Sequence, residues 1–330
     1  MNYKYFIFAT IALILMSVVR WNRQDLIIGK YVGADDKNLG QKLGYDVQMS
    51  LDSYNYVQYV NYYDGEDVSE EITKPYTYRF LVPLIASLLP FDSFTSLNLI
   101  NLSCEILTAL YLMYIFGAMG FSQKVQLFGG LIFAVSFPVF YYGVVGLLDA
   151  PAILLITMGI YYVMRGNLII LASLLAIGAM VNEKSILLIP FFFAFTLKEK
   201  NVKSSVIQTT VLSLVFVTTN LVVRKLTINA DSQFIWTISL DSLLYNLGRV
   251  RTYISLLLTG GVPLALLLYS LPKFKLSENP NFAFLIGIMM VMLMIIYSLT
   301  AAYTDGRFMW YIYPFALPLC GYGLQKILNK

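Results

Sequence analysis

The residues able to do chemistry in this 330-residue chain are limited in kind, because it contains no histidine. That absence removes Ser-His-Asp and Cys-His catalysis, zinc or haem held by histidine, and acyl transfer built on a catalytic histidine. Chemistry must rest on carboxylates, lysine, arginine, tyrosine or backbone. Cys104 and Cys320 both lie inside apolar stretches. They read as small core residues and supply neither a disulfide framework nor a thiolate metal site.

Five places carry charges where charge is conspicuous. Around Asp52, the residues Tyr45, Met49, Tyr56, Tyr59, Val60 and Tyr63 recur at helical spacing. They predict a short helix lying in a membrane interface, with its rings at headgroup level and Asp52 on or beside that face. Arg79 enters an apolar run; it either snorkels to anchor a helix or grips a phosphate in a bidentate way. Asp149 precedes Pro151 and fits an N-cap as well as a functional acid. Glu183-Lys184 fits a local ion pair at a turn, and Asp305-Gly306-Arg307 a tight turn with ordinary charges. Each site alone has a plain explanation, and what makes them candidates is that all fall on one side of one membrane. Glu105 differs: it sits in the middle of an apolar run and must face the bundle interior or lie near an end.

The elements holding these residues follow from composition. Charged residues are 13% of the chain against roughly 25% in an ordinary soluble domain, and 58% are hydrophobic. The apolar residues come in long blocks, which predicts an all-α polytopic transmembrane bundle. A first run at 5–19 reads as an uncleaved helix, because 17–19 is a poor cleavage site. A long acidic loop, 20–78, follows. Further apolar runs occupy 79–90, 94–119, 125–147, 149–164, 168–181, 185–197, 205–223, 252–271, 281–303 and 308–325.

The short linkers with Lys124, Arg165, Lys198, Lys200, Lys203, Lys273, Lys275, Lys326 and Lys330 are basic and nearly free of acid. By the positive-inside rule they are cytoplasmic. Parity then makes 124–165 and 165–198 hairpins with outward turns at Asp149 and Glu183. About ten crossings result, with both termini inside. The second hairpin has too few residues for two full spans, so the Glu183 turn is expected below the outer surface, in a cavity. The 79–90 segment, with Pro83 and Pro90, reads as partly immersed, and kinks are expected at Pro138 and Pro190. No internal repeat is evident, and 1–330 reads as one domain. The net charge of +4 is a basic inner rim set against a slightly acidic outer face, not a nucleic-acid signal.

With these residues in place, the chain resembles the GT-C superfamily of integral-membrane glycosyltransferases, which use polyprenyl-phosphate-linked sugars; mannosyltransferases are among them. The matching features are the long outward first loop with Asp52-Ser53-Tyr54-Asn55-Tyr56, and then Pro75-Tyr76-x-x-Arg79-x-x-x-Pro83-Leu84. Leu148-Asp149-Ala150-Pro151 looks like the family's second-loop acid. Asn182-Glu183-Lys184-Ser185 resembles its Lys/Glu turn, and Arg307-Phe308-x-x-Tyr311-x-x-Pro314 its late helix. Two departures stand out: Asp52 has no acidic partner in an Asp-x-Asp or Asp-Glu pair, and the chain reads as a minimal, transmembrane-only member.

The resemblance implies sugar transfer to an acceptor hydroxyl on a glycan, lipid or protein at the extracytoplasmic side, in cell-envelope synthesis. It implies Asp52 as base and Asp149 as second acid, positioning the acceptor or a divalent cation such as Mg²⁺ or Mn²⁺. Glu183 shares the cavity, Arg79, Lys184 and Arg307 hold the phosphate, and Tyr56 and Tyr78 bind substrate. The short chain and small loops point to a bacterial plasma membrane, with membrane lipid and the lipid-linked donor as partners. A lipid or sugar flippase, or a secondary transporter, is the rival from another class; it would show two pseudo-symmetric halves. A polysaccharide polymerase or ligase would instead lean on Arg224, Arg249 and Arg251 of the 224–250 loop, and an accessory membrane subunit remains a further alternative.

Overall fold

The computed structural model of the chain describes residues 3–21, 44, 50–228, 238–301 and 306–329 and is all-α. Its helices are α1 (Tyr3–Arg20), α2 (Leu51–Tyr63), α3 (Leu81–Ser87), α4 (Ser93–Ala118), α5 (Gln123–Ala134), α6 (Phe137–Tyr142) and α7 (Asp149–Met164). After them come α8 (Leu168–Val181), α9 (Leu188–Glu199), α10 (Val202–Leu226), α11 (Leu240–Leu247), α12 (Val250–Ser270), α13 (Asn281–Ala301) and α14 (Tyr313–Leu328). Short 3-10 turns occupy Tyr76–Tyr78, Glu183–Leu187 and Arg307–Ile312, among others.

Local sequence sets where many of these begin. Ser50, Asp92, Ser122, Asn167, Asn201 and Ser239 each accept, through the side chain, the backbone N–H three residues on. Such caps satisfy donors that the first helical turn leaves open.

Among the described residues, five stretches are long and apolar enough to cross a membrane: Ser93–Ala118, Gln123–Tyr142, Val202–Leu226, Val250–Lys273 and Asn281–Thr300. They point to an integral membrane protein. Their outward side chains are apolar, among them Leu214, Leu221, Leu257, Val262, Met289 and Leu293. Lipid accepts such surfaces; water would not.

The expected ten crossings are therefore corrected to five long spans. The sequence count treated every apolar run except 79–90 as a span. Several of those runs are instead short helices whose apolar character reflects burial in protein. Helix α7 has 16 residues, α8 14 and α9 12. At 1.5 Å per residue these reach about 24, 21 and 18 Å, short of a core roughly 30 Å thick. Helix α7 is apolar all round because it is enclosed, with residues such as Ile153, Ile156 and Ile160 fully buried. The 79–90 run holds only the two-turn α3.

The predicted interfacial helix is likewise corrected. Its described part, α2, packs Tyr56, Tyr59 and Val60 into protein: all three are at most 2% exposed, and Tyr56 and Val60 share an apolar core with Val82, Phe94, Leu97 and Leu148. Tyr45 and Met49 lie outside the described residues. The rings face inward because α3 and α4, not lipid, cover this side of the helix.

Proline acts at two expected places and one further one. At Pro138 the run breaks and restarts as α6. Pro190 falls in the first turn of α9, just after the 3-10 turn Glu183–Leu187, where proline is tolerated. In α12, Gly261 (φ 40°, ψ −136°) and Pro263 interrupt the helix. Pro263 has no N–H to offer the Thr259 carbonyl, and the Tyr313 hydroxyl donates to it instead at 2.7 Å. A backbone acceptor within a span is thereby kept satisfied.

Candidate functional site

Five segments distant in sequence converge on one cluster of charges. Ser50 caps α2 and so places Asp52 in its first turn. The Asp52 Oδ1 accepts the Tyr76 hydroxyl at 2.6 Å, and its Oδ2 accepts Arg307 Nη2 at 2.6 Å. Arg307 follows Gly306, whose φ of 81° is left-handed and whose Cβ, if present, would lie 2.7 Å from the Ser255 carbonyl oxygen. Glycine is required there, and the turn it permits aims Arg307 into the cluster.

Arg307 also reaches Asp149, its Nε lying 3.4 Å from Oδ2. Asp149 opens α7, but Leu148 is the N-cap position and no side chain caps this end. The Asp149 carboxylate turns elsewhere: its Oδ1 accepts the Tyr311 hydroxyl at 2.6 Å and Lys184 Nζ at 3.0 Å. Lys184 Nζ sits 4.5 Å from the ring centres of both Phe308 and Tyr311, within cation–π range. Glu183, next in sequence to Lys184, pairs with Arg79 through two hydrogen bonds, Nε to Oε2 at 3.0 Å and Nη2 to Oε1. The third guanidinium nitrogen, Nη1, donates to the Tyr56 hydroxyl at 2.7 Å.

The plain explanations of these charges therefore give way to tertiary ones. Glu183 and Lys184 do not pair with each other; each joins a residue more than 30 positions away. Arg79 clamps a carboxylate instead of snorkelling. Of the expected site residues, Asp52, Tyr56, Arg79, Asp149, Glu183, Lys184 and Arg307 come together. Tyr78 does not join through its ring, which lies against Arg224 at 4.9 Å. Asp305 lies outside the described residues. Tyr76 and Tyr311 were visible only as letters in motifs, and nothing in their spacing indicated that their hydroxyls would bind the two aspartates.

Three acids meet three bases, so the cluster is neutral when all are charged. It is closed at one end and open at the other: the Asp149 side chain is 4% exposed, Asp52 22% and Glu183 46%. Burial pushes the Asp52 carboxyl up, but the Arg307 charge and the Tyr76 hydrogen bond outweigh it and hold the group below the usual carboxylate range. Asp149 is lowered as well, burial being outweighed by Lys184, Arg307 and Tyr311. Glu183 is brought down to about 2, mainly by Arg79 acting against burial. Burial lowers the Lys184 ammonium despite Asp149, with Arg307 and Arg79 adding to the effect. Burial and the neighbouring aspartates raise the Tyr76 and Tyr311 phenols, so both are donors at neutral pH.

The donor set fits a divalent cation poorly. Among the described residues no group of three acids or cysteines could hold one. The two aspartates have Arg307 between them, where a bridging ion would sit. The chain matches no model of a known protein family, and a comparison with curated proteins finds no match either.

Proposed function

We propose that this chain is an integral-membrane glycosyltransferase of GT-C type, moving a sugar from a polyprenyl-phosphate donor to an acceptor hydroxyl at the extracytoplasmic face of a bacterial plasma membrane. The observation that carries the reading is the convergence of Asp52, Arg79, Asp149, Glu183, Lys184 and Arg307, from separate segments, on one cluster that opens beside Asp52 and Glu183. Structural ion pairs rarely need six charges in so greasy a chain, whereas a phosphate-leaving reaction needs both signs of charge together.

In the resting cluster each cation is held by a carboxylate. A donor phosphate brings competing negative charge, and Arg79 and Arg307, whose carboxylate partners Glu183 and Asp52 are the more exposed ones, are the cations it would draw away. As Arg307 turns to phosphate, Asp52 loses the contact that depresses its basicity and becomes able to accept a proton. The acceptor hydroxyl then gives its proton to Asp52, its oxygen bonds to C1, and the C1–O bond breaks with its electron pair leaving on the phosphate. Lys184, held by Asp149 and Tyr311, keeps positive charge near the leaving group. Arg307 supplies here the charge that a bridging metal would otherwise give.

The test is reconstitution of the purified protein with polyprenyl-phosphate-linked sugars and a panel of acceptors. Release of polyprenyl phosphate that depends on acceptor supports the reading. Movement of the intact donor across the bilayer without release would replace it with the flippase.

A further inference from the structure

Helix α4 carries a second polar feature that the proposed chemistry does not use. Asn98, Asn101 and Glu105 lie three and four residues apart, hence on one face. That face packs on the non-helical segment between α6 and α7, which runs into Asp149. Asn98 Oδ1 accepts the Gly146 N–H at 2.7 Å, and Asn101 Nδ2 donates to the Leu147 carbonyl at 2.6 Å. From α2, the Ser53 hydroxyl donates to the Val145 carbonyl at 2.7 Å. Glu105 completes the row against Gly143, where a Cβ would collide with the carboxyl.

Glu105 stands at the middle of the 26-residue α4, the longest of the membrane-spanning candidates, and is 1% exposed. Neither of its carboxyl oxygens has a hydrogen-bond partner, nor does the Asn101 Oδ1 one turn away. No cationic side chain among the described residues pairs with it; its titratable neighbour is the Cys104 thiol. A carboxylate ion cannot be held at such a place without a counter-charge or donors. Three acceptors and no donor is an inventory that one hydrogen corrects, because a protonated carboxyl turns one acceptor into a donor.

We infer that Glu105 is a proton-binding site in the membrane interior: a carboxylic acid that stays neutral at physiological pH and completes the polar face holding the segment ahead of Asp149. A sodium ion, which would satisfy the same three oxygens while leaving Glu105 ionised, is the rival occupant.

Infrared spectroscopy of the protein in lipid nanodiscs tests this independently of any enzymatic activity. The C=O stretch of a protonated carboxylic acid should be present at neutral and mildly alkaline pH and be lost in E105Q, with the thermal midpoint of E105Q close to that of the parent. Loss of carboxylate bands instead of the acid band in E105Q would overturn the inference. So would disappearance of the acid band on adding sodium. Should E105Q fail to fold, ¹³C-glutamate labelling of the unmodified chain gives the same answer: an acid band that shifts with the label supports the neutral site, and its absence overturns it.

Discussion

Arg307 Nη2 contacts Asp52 Oδ2 at 2.6 Å across 255 residues of chain. The pair closes the bundle by joining the first described loop helix to the last 3-10 turn. It also bears on the state of Asp52, because the guanidinium charge favours the ionised carboxylate.

Asp52→Asn should therefore abolish transfer while sparing the fold. A general base contributes about 10²–10⁴-fold, and a loss in that range is expected in acceptor-dependent polyprenyl phosphate release. Donor binding should persist. Turnover near that of the parent in a well-folded variant would remove Asp52 from the role.

Chelation should leave activity in place. Arg307 stands between the two aspartates, and no third acid completes a metal site among the described residues. Activity assayed with and without a strong chelator checks this, and a loss restored by Mg²⁺ or Mn²⁺ would show that the arginine yields to a metal.

Asp149 and Lys184 should behave as a coupled buried pair. Removing one partner of such a pair costs about 3–5 kcal/mol, because the other charge is left without compensation. Asp149→Asn leaves Lys184 with only π faces and a hydroxyl as partners. The double variant D149N/K184M should lose less stability than the two single changes together, as read from thermal midpoints in a double-mutant cycle.

Acid should loosen the cluster in a defined order. Glu183 has its pKa lowered from 4.5 to about 2 in the folded chain. A lowered carboxyl contributes stability that is fully present above its unfolded value and is lost as pH falls through the folded one. The Glu183 share should thus fade between about 4.5 and about 2, and be small, because the side chain is 46% exposed and water screens the pair. Asp149 acts in the same direction from a 4% exposed position. Thermal midpoints followed from neutral pH downward should flatten more in D149N than in E183Q.

Gly306→Ala should damage the site from outside it. The φ of 81° disfavours any Cβ by about 1–2 kcal/mol, and the contact with the Ser255 backbone adds to that. The turn must shift, carrying Arg307 off Asp52. Activity should fall further than the loss of stability alone explains, with the midpoint and the transfer rate measured on the same preparation.

Much of the site was legible in the sequence because charges in a greasy chain are costly. Asp52, Arg79, Asp149, Glu183, Lys184 and Arg307 stood out because such charges all fall on one side of one membrane. Their partners were not legible. The neighbouring letters Glu183-Lys184 suggested one local pair and form two distant ones. Tyr78 was the tyrosine of its turn expected to bind substrate, yet it is the Tyr76 hydroxyl that reaches Asp52, because a 3-10 turn sends residues two apart in different directions.

The sequence by itself determined that the chain is helical and belongs in a membrane, and that any chemistry in it would use carboxylates and cations without histidine. These follow from composition and run length, which are properties of the letters. Tertiary structure decided how many runs are long enough to span, since hydropathy reports removal from water and cannot distinguish lipid from protein. It also decided that Tyr56 and Tyr59 of α2 turn inward, which acid meets which base, and that Glu105 has no partner among the described residues. Those depend on which surfaces meet in space, and no spacing along the chain records that.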